Sequence, residues 1–264
     1  GAGNDSLIGG AGNDTYTMAA NWTSADTITD SAGTADVLTA TLSTSITPAS
    51  LTGVETLTLT MNGAAVNATN ITGTTTLNLL GSSTVVFTNV ASDLVTINQN
   101  EDLGVVNIGY ASGAAATVRY DFDGATEIVA NTSTTFSNVA NLTIDGDVTY
   151  AVDLVSLTGG AALRTLTLAV DTTSKLDTGA ITAAGMTTMT STGTTGETAI
   201  GVITAAALTD LTLTTTTGKL GQVGAITAAA LTNLTASTTT GVLTIGAMTV
   251  GQTASNPLKT VSYT

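Results

Sequence analysis

Three phrases, ITAAGMTTMT from Ile181, ITAAALTDLTL from Ile203 and ITAAALTNLTA from Ile226, return at intervals of 22 and 23 residues. A unit this short is not a domain, because one strand-sized segment has no second layer against which to bury its apolar face. It must stack on copies of itself. Within each unit apolar residues alternate with threonine, as in Leu208-Thr-Asp-Leu211-Thr-Leu213, and that is the period of a strand. The same phrase is audible at Val54-Glu-Thr-Leu57-Thr-Leu59, Val139-Ala-Asn-Leu142-Thr-Ile144, Leu163-Arg-Thr-Leu166-Thr-Leu168 and Leu231-Thr-Asn-Leu234-Thr-Ala236. Met186-Thr-Thr-Met189 and the closing Leu258-Lys-Thr-Val261-Ser-Tyr263 extend it. Weaker candidate rungs sit at Leu77-Asn-Leu79, Val106-Asn-Ile108 and Ile128, and the phase stays open between residues 60 and 140.

The expected fold is therefore all-β, a right-handed parallel β-solenoid or β-roll with short rungs. Leu211 and Leu213 should point inward and their threonine neighbours outward, stacked in ladders. Threonine fills 61 of 264 positions while aromatic residues make up only 3%, a composition suited to pleated surfaces. The alanine triplets before Leu208 and Leu231 are expected to form a helical turn on the return leg. A threonine-rich β-sandwich with coincidental internal similarity is the competing reading. The pattern also resembles leucine-rich repeats but lacks their asparagine after the strand. Three segments are expected: 1–42, 43–150 with irregular rungs, and 151–264 with regular ones.

Charge narrows the function. With 19 acidic and 5 basic residues the formal net charge is −14, which repels nucleic-acid phosphates and attracts divalent cations. There is no cysteine and no histidine, so disulfides, thiolate metal sites, imidazole ligands and Ser-His-Asp catalysis are excluded. No apolar run approaches the roughly 18 residues of a spanning helix, and no membrane span is expected. The chain opens inside a repeat, so it is expected to be a fragment.

The opening GAGNDSLIGGAGNDTYTM says nearly the same thing twice at an offset of nine. Gly1, Gly3, Gly10 and Gly12 allow tight turns with positive φ, which lets carbonyls converge. Asp5 and Asp14 add carboxylates, and Leu7 and Tyr16 plug the core. A hard cation wanting six to eight oxygens, Ca²⁺ above all, can bridge such loops. The next stretch, ADTITDSAGTADVL, places Asp26, Asp30 and Asp36 nearby, with Asp26-Thr-Ile28-Thr-Asp30 alternating like a short strand bounded by acidic turns.

These residues resemble the last calcium-binding nonapeptide repeats of RTX proteins and the acidic stretch that often follows them. Together with SLTGVETLTLT and the Thr/Ala/Gly-rich rungs, the chain is similar to bacterial RTX-type surface-layer proteins. The resemblance implies Ca²⁺ held between stacked loops by carbonyls of Gly1, Gly3, Gly10 and Gly12 and carboxylates of Asp5 and Asp14. It also implies type I secretion to the bacterial cell surface and a Ca²⁺-dependent lattice. In that family a loop pairs with the one eighteen residues on. This leaves residues 1–5 facing Ala19–Thr23, without acid, and Gly10–Asp14 facing Ile28–Gly33, where Asp30 substitutes.

Two further acidic pairs, Asp121 with Asp123 and Asp145 with Asp147, are candidate Ca²⁺ ligands at turns; Glu101-Asp102 reads as a polar loop. Arg119 beside Asp121 suggests a calcium-dependent polysaccharide lyase, but an arginine among carboxylates is more often a charge partner, and a single tryptophan, Trp22, offers little sugar platform. The expected function is a structural, non-enzymatic subunit that self-assembles into a homo-oligomeric surface layer or extracellular filament, with cell-surface polysaccharide as a further candidate partner. The stalk or binding region of a type I-secreted adhesin is the alternative, and the lyase comes third.

Overall fold

In the computed structural model, residues 1–264 are described except 114–115, 123–128, 147–148, 171–174, 218–219, 241, 252–259 and 264. Among the described residues there is no helix; every strand pairing is parallel, and the chain winds as a β-solenoid consistent with the right-handed roll expected. The broadest face is a 12-stranded sheet running from Thr15–Ala19 to Thr260–Tyr263, one strand per rung. A 13-stranded second sheet and a four-stranded third one close the other sides. The small third sheet joins Ser6–Ile8, Thr27–Thr29, Ser50–Thr52 and Ile71–Thr72. Further on, the second sheet forks at Val152–Gly159, whose first half pairs with Lys175–Asp177 and whose second half pairs with Ala180–Thr182.

The alternation seen in the sequence has a direct structural cause. In the broad sheet the inward residues stand in register from rung to rung: Leu57 on Leu77, Leu77 on Ile97, Ile97 on Tyr120, Tyr120 on Ile144 and Ile144 on Leu168. A second column stacks Leu142, Leu166, Met189, Leu211 and Leu234. All are buried, and burying a leucine-sized side chain stabilises by about 1.5–3 kcal/mol. Threonines in the turn before each strand also tie the rungs together. Thr187 Oγ1 donates to the Arg164 carbonyl at 3.2 Å, Thr209 Oγ1 to the Thr187 carbonyl at 3.0 Å and Thr232 Oγ1 to the Thr209 carbonyl at 3.2 Å.

The expected rungs at Leu77 and Leu79 fall in the broad sheet, and those at Val106 and Ile108 in the second sheet. Ile128 and Leu258 lie outside the described residues. In the middle rungs the core turns aromatic. Tyr120 packs against Phe122 and Phe136 with centroids 4.7 and 5.3 Å away, and its hydroxyl donates to buried Gln99. Gln99 Nε2 in turn donates to the Glu101 carbonyl at 2.9 Å and to Thr132 Oγ1 at 3.2 Å, so the buried amide is satisfied.

The alanine triplets do not form the expected helical turn. The Leu208 N–H donates to the Ala205 carbonyl at 3.1 Å in a single tight turn, repeated by Leu231 and Ala228 at 3.2 Å. Ala205 and Ala228 are buried. A methyl group is what fits inside a corner where two strands meet, so small size rather than helix propensity places alanine there.

The stacked columns predict a sharp contrast between neighbours. Leu211→Ala should cost about 2–5 kcal/mol by leaving a cavity between rungs. Thr212→Ala, one residue along but outward, should stay within roughly 0.5 kcal/mol. Urea unfolding followed by circular dichroism checks both.

Candidate metal centre

The turn that links the third sheet to the broad sheet carries acid on successive rungs. Residues 9–14 lead into strand Thr15–Ala19, and residues 30–36 lead into strand Val37–Leu42 one rung on. The two loops stack in register, with Ala11 bridging Ala32 and the Asp14 N–H donating to Asp36 Oδ1 at 2.7 Å. This brings together Asp14, Asp30 and Asp36, each offering a carboxylate oxygen within 4.8 Å of the others.

Each carboxylate is held in place. Tyr16 donates its hydroxyl to Asp30 Oδ2 at 2.7 Å, and the Ala32 N–H donates to Asp30 Oδ1 at 3.2 Å. The tyrosine bond does most to hold the Asp30 carboxyl below its usual range; burial opposes it, and backbone N–H groups of Ala32 and Ser31 assist. Burial and the same aspartate push the Tyr16 phenol above its ordinary value, so it stays a donor. Asp14 Oδ2 accepts from the Gly10 N–H at 3.2 Å. On the next rung Glu55 Oε2 accepts from the Asp36 N–H at 2.8 Å.

Asp36 is the informative member. Its residue exposure is 0%, and while Oδ1 is bonded to the Asp14 N–H, Oδ2 is buried with no hydrogen-bond partner. An ionised oxygen left in that state is costly. Gly33 permits a close approach that a side chain would block. A Cβ there would lie 2.3 Å from Asp36 Oδ2 and 2.4 Å from the Gly12 carbonyl oxygen, so a backbone carbonyl and an orphan carboxylate oxygen converge beside this glycine. Gly12 reaches this position with φ +122°, a conformation open to glycine. Three carboxylates and a carbonyl form an all-oxygen donor set of the kind that suits a hard divalent cation.

The other expected ligands are distributed differently. Gly3, at φ +134°, shares the conformation of Gly12, but Gly10 does not adopt positive φ and acts through its N–H instead. Gly1 and Gly3 have nothing near enough for a Cβ to touch. Asp5 stands apart from the Asp14 cluster: its N–H donates to Asp26 Oδ1 at 2.8 Å across 21 residues. Loops thus stack at intervals of 21 and 22 residues, not eighteen, because the turn after Thr15–Ala19, which contains buried Trp22, lengthens the rung. The eighteen-residue pairing is corrected accordingly. Residues 1–5 meet Asp26 and Gly10–Asp14 meet Asp36.

Asp121 and Asp145 sit side by side in register on adjacent rungs, around Arg119. Arg119 Nη1 lies 2.8 Å from Asp121 Oδ2, while Nε and Nη2 approach Asp145 Oδ2 at 2.9 and 2.6 Å. The guanidinium thus bridges two stacked carboxylates. Their expected companions Asp123 and Asp147 lie outside the described residues. Glu101 behaves as a loop acid, accepting the Gly81 N–H at 2.5 Å.

Asp26 supplies a pH dependence. Burial raises its pKa, but N–H groups of Asp5 and Thr23 and the Thr23 hydroxyl outweigh that and leave it lowered from 3.8. A carboxyl lowered in the folded state adds stability that is complete above about pH 4 and lost as pH falls through the folded value. Acid titration monitored by the emission of Trp22, the only tryptophan, should therefore show the first rungs loosening below about pH 4. Asp26→Asn should lower the urea midpoint at pH 7 and flatten that acid limb. No protein-family model, curated protein or solved structure matches this chain, and the candidate centre stands on its own geometry.

Proposed function

We propose that the chain is part of a calcium-stiffened, self-assembling extracellular structural protein, a surface-layer or filament subunit exported by a bacterium. The observation that supports this most is the buried, partnerless Asp36 Oδ2 facing the Gly12 carbonyl beside Asp14 and Asp30. Ca²⁺ fits this donor set. It accepts six to eight oxygens in loose geometry, whereas Mg²⁺ demands a tighter octahedron. Bound there, it would tie loop 9–14 to loop 30–36 and neutralise like charges that otherwise repel across the rung. The resemblance of the opening repeats to RTX nonapeptides points the same way. A long solenoid with few charges and a mean hydropathy of +0.38 is well suited to assembly with its own kind.

Two measurements test this reading. Terbium titration should give emission sensitised by Tyr16, whose hydroxyl touches the ligand Asp30, displaced by Ca²⁺ well before Mg²⁺. Asp36→Asn should weaken that displacement by about tenfold or more. Electron microscopy in millimolar Ca²⁺ should show ordered sheets or filaments that dissolve in EGTA. Dispersed particles in both conditions would remove the assembly reading and favour the adhesin stalk.

A further inference from the structure

Acidic side chains are unevenly placed around the solenoid. Many stand in turns. On the second sheet Asp153 lies in register with Asp177, and Lys175 with Glu197. The broad sheet is different. Among its described outward side chains only Arg119, Asp121, Asp145 and Asp210 are charged. The first three form one cluster, a guanidinium between two carboxylates. Asp210 is bound by Thr209 Oγ1 at 2.6 Å and Asn233 Nδ2 at 2.5 Å.

The remainder of that face is largely a threonine array. Thr167, Thr190, Thr212 and Thr235 form one column in register across four rungs, and Thr192 stands beside Thr214. These side chains are mostly half-buried by their own neighbours. Threonine is stiff at χ1, so covering such a surface costs little side-chain entropy.

Two copies of a chain with net charge −14 repel one another, and close contact favours a face with few carboxylates, each already held by a neighbour. The broad sheet supplies one of sufficient size. Twelve strands at about 4.8 Å spacing, each about 20 Å long, span on the order of 1,000 Å² per copy. A stable interface needs about 800 Å² per partner. The arm of the second sheet that forks off through Ala180–Thr182 is also poor in charge, but its strands are as short as Ile203–Thr204 and Ile226–Thr227.

We infer that the threonine face of the broad sheet is the surface on which a second copy of this chain docks, face to face. This rests on the self-assembly reading and names the contact surface within it. The chain has no cysteine, so Thr190→Cys and, on the narrow side, Thr204→Cys each introduce one thiol. Maleimide labelling in millimolar Ca²⁺, below and above the assembly concentration, should slow by about tenfold or more at position 190 and stay unchanged at 204. Thr190→Glu with Thr212→Glu should keep the fold, seen by circular dichroism and Trp22 emission, and raise the assembly concentration by about tenfold or more in sedimentation velocity. Equal labelling at both thiols in assembled protein overturns this interface and leaves calcium-dependent assembly standing; so does assembly of the Glu variant at the wild-type concentration. A wild-type chain that stays monomeric in Ca²⁺ overturns both.

Discussion

Every rung is finished by the next one. A strand such as Asp210–Thr215 offers its N–H and C=O groups along the solenoid axis and finds partners on Thr188–Gly193 and Asn233–Thr238. Its inward Leu211 likewise lies between Met189 and Leu234, and Leu213 between Ser191 and Ala236. Neither the polar nor the apolar requirement can be met inside one repeat. Parallel, in-register stacking meets both together, and the rest of the structure follows from preserving that register.

The turns carry the heavier burden. Backbone bonds such as the Thr209 N–H to the Thr187 carbonyl continue the ladder into the turns, and side chains reaching across rungs add to it. At the amino-terminal end carboxylates take this role, in the succession Asp26 to the Asp5 N–H, Asp36 to the Asp14 N–H and Glu55 to the Asp36 N–H. Towards the other end threonine hydroxyls serve, bonding carbonyls of the preceding rung. The exchange of acid for hydroxyl separates the two ends chemically while the backbone path persists. It leaves the first rungs, where the orphan oxygen of Asp36 lies, acidic with no basic residue, and the threonine-rich rungs from residue 151 onward nearly neutral.

Much of this was legible in the residues. The period of two gave the inward and outward faces, and the interval of 22 or 23 gave the rungs, because both are imposed by backbone geometry. Asp14 and Asp30 were found as ligand candidates. Asp36 is less legible because the eighteen-residue pairing implied by the nonapeptide resemblance bypasses it; Asp14 plus 22 lands on Asp36, an interval shared with the later repeats. The close approach at Gly33 leaves no local signal, since it depends on a carbonyl from another rung. The partnership of Arg119 with Asp145 spans 26 residues and a locally lengthened rung, so no fixed period would have found it. The alanine triplets misled for a different reason: alanine favours helices in isolation, but here its size decides.

Continuous stacking also sets how the molecule yields to force. Pulled along its axis, the solenoid bears load on one rung interface after another in series, so the terminal rung peels before its neighbours. A turn of about 22 residues releases roughly 75 Å of extended chain as it comes away. Strain would thus be relieved in discrete, short lengths while the remaining rungs keep their packing, the behaviour of a shock absorber rather than a rigid rod.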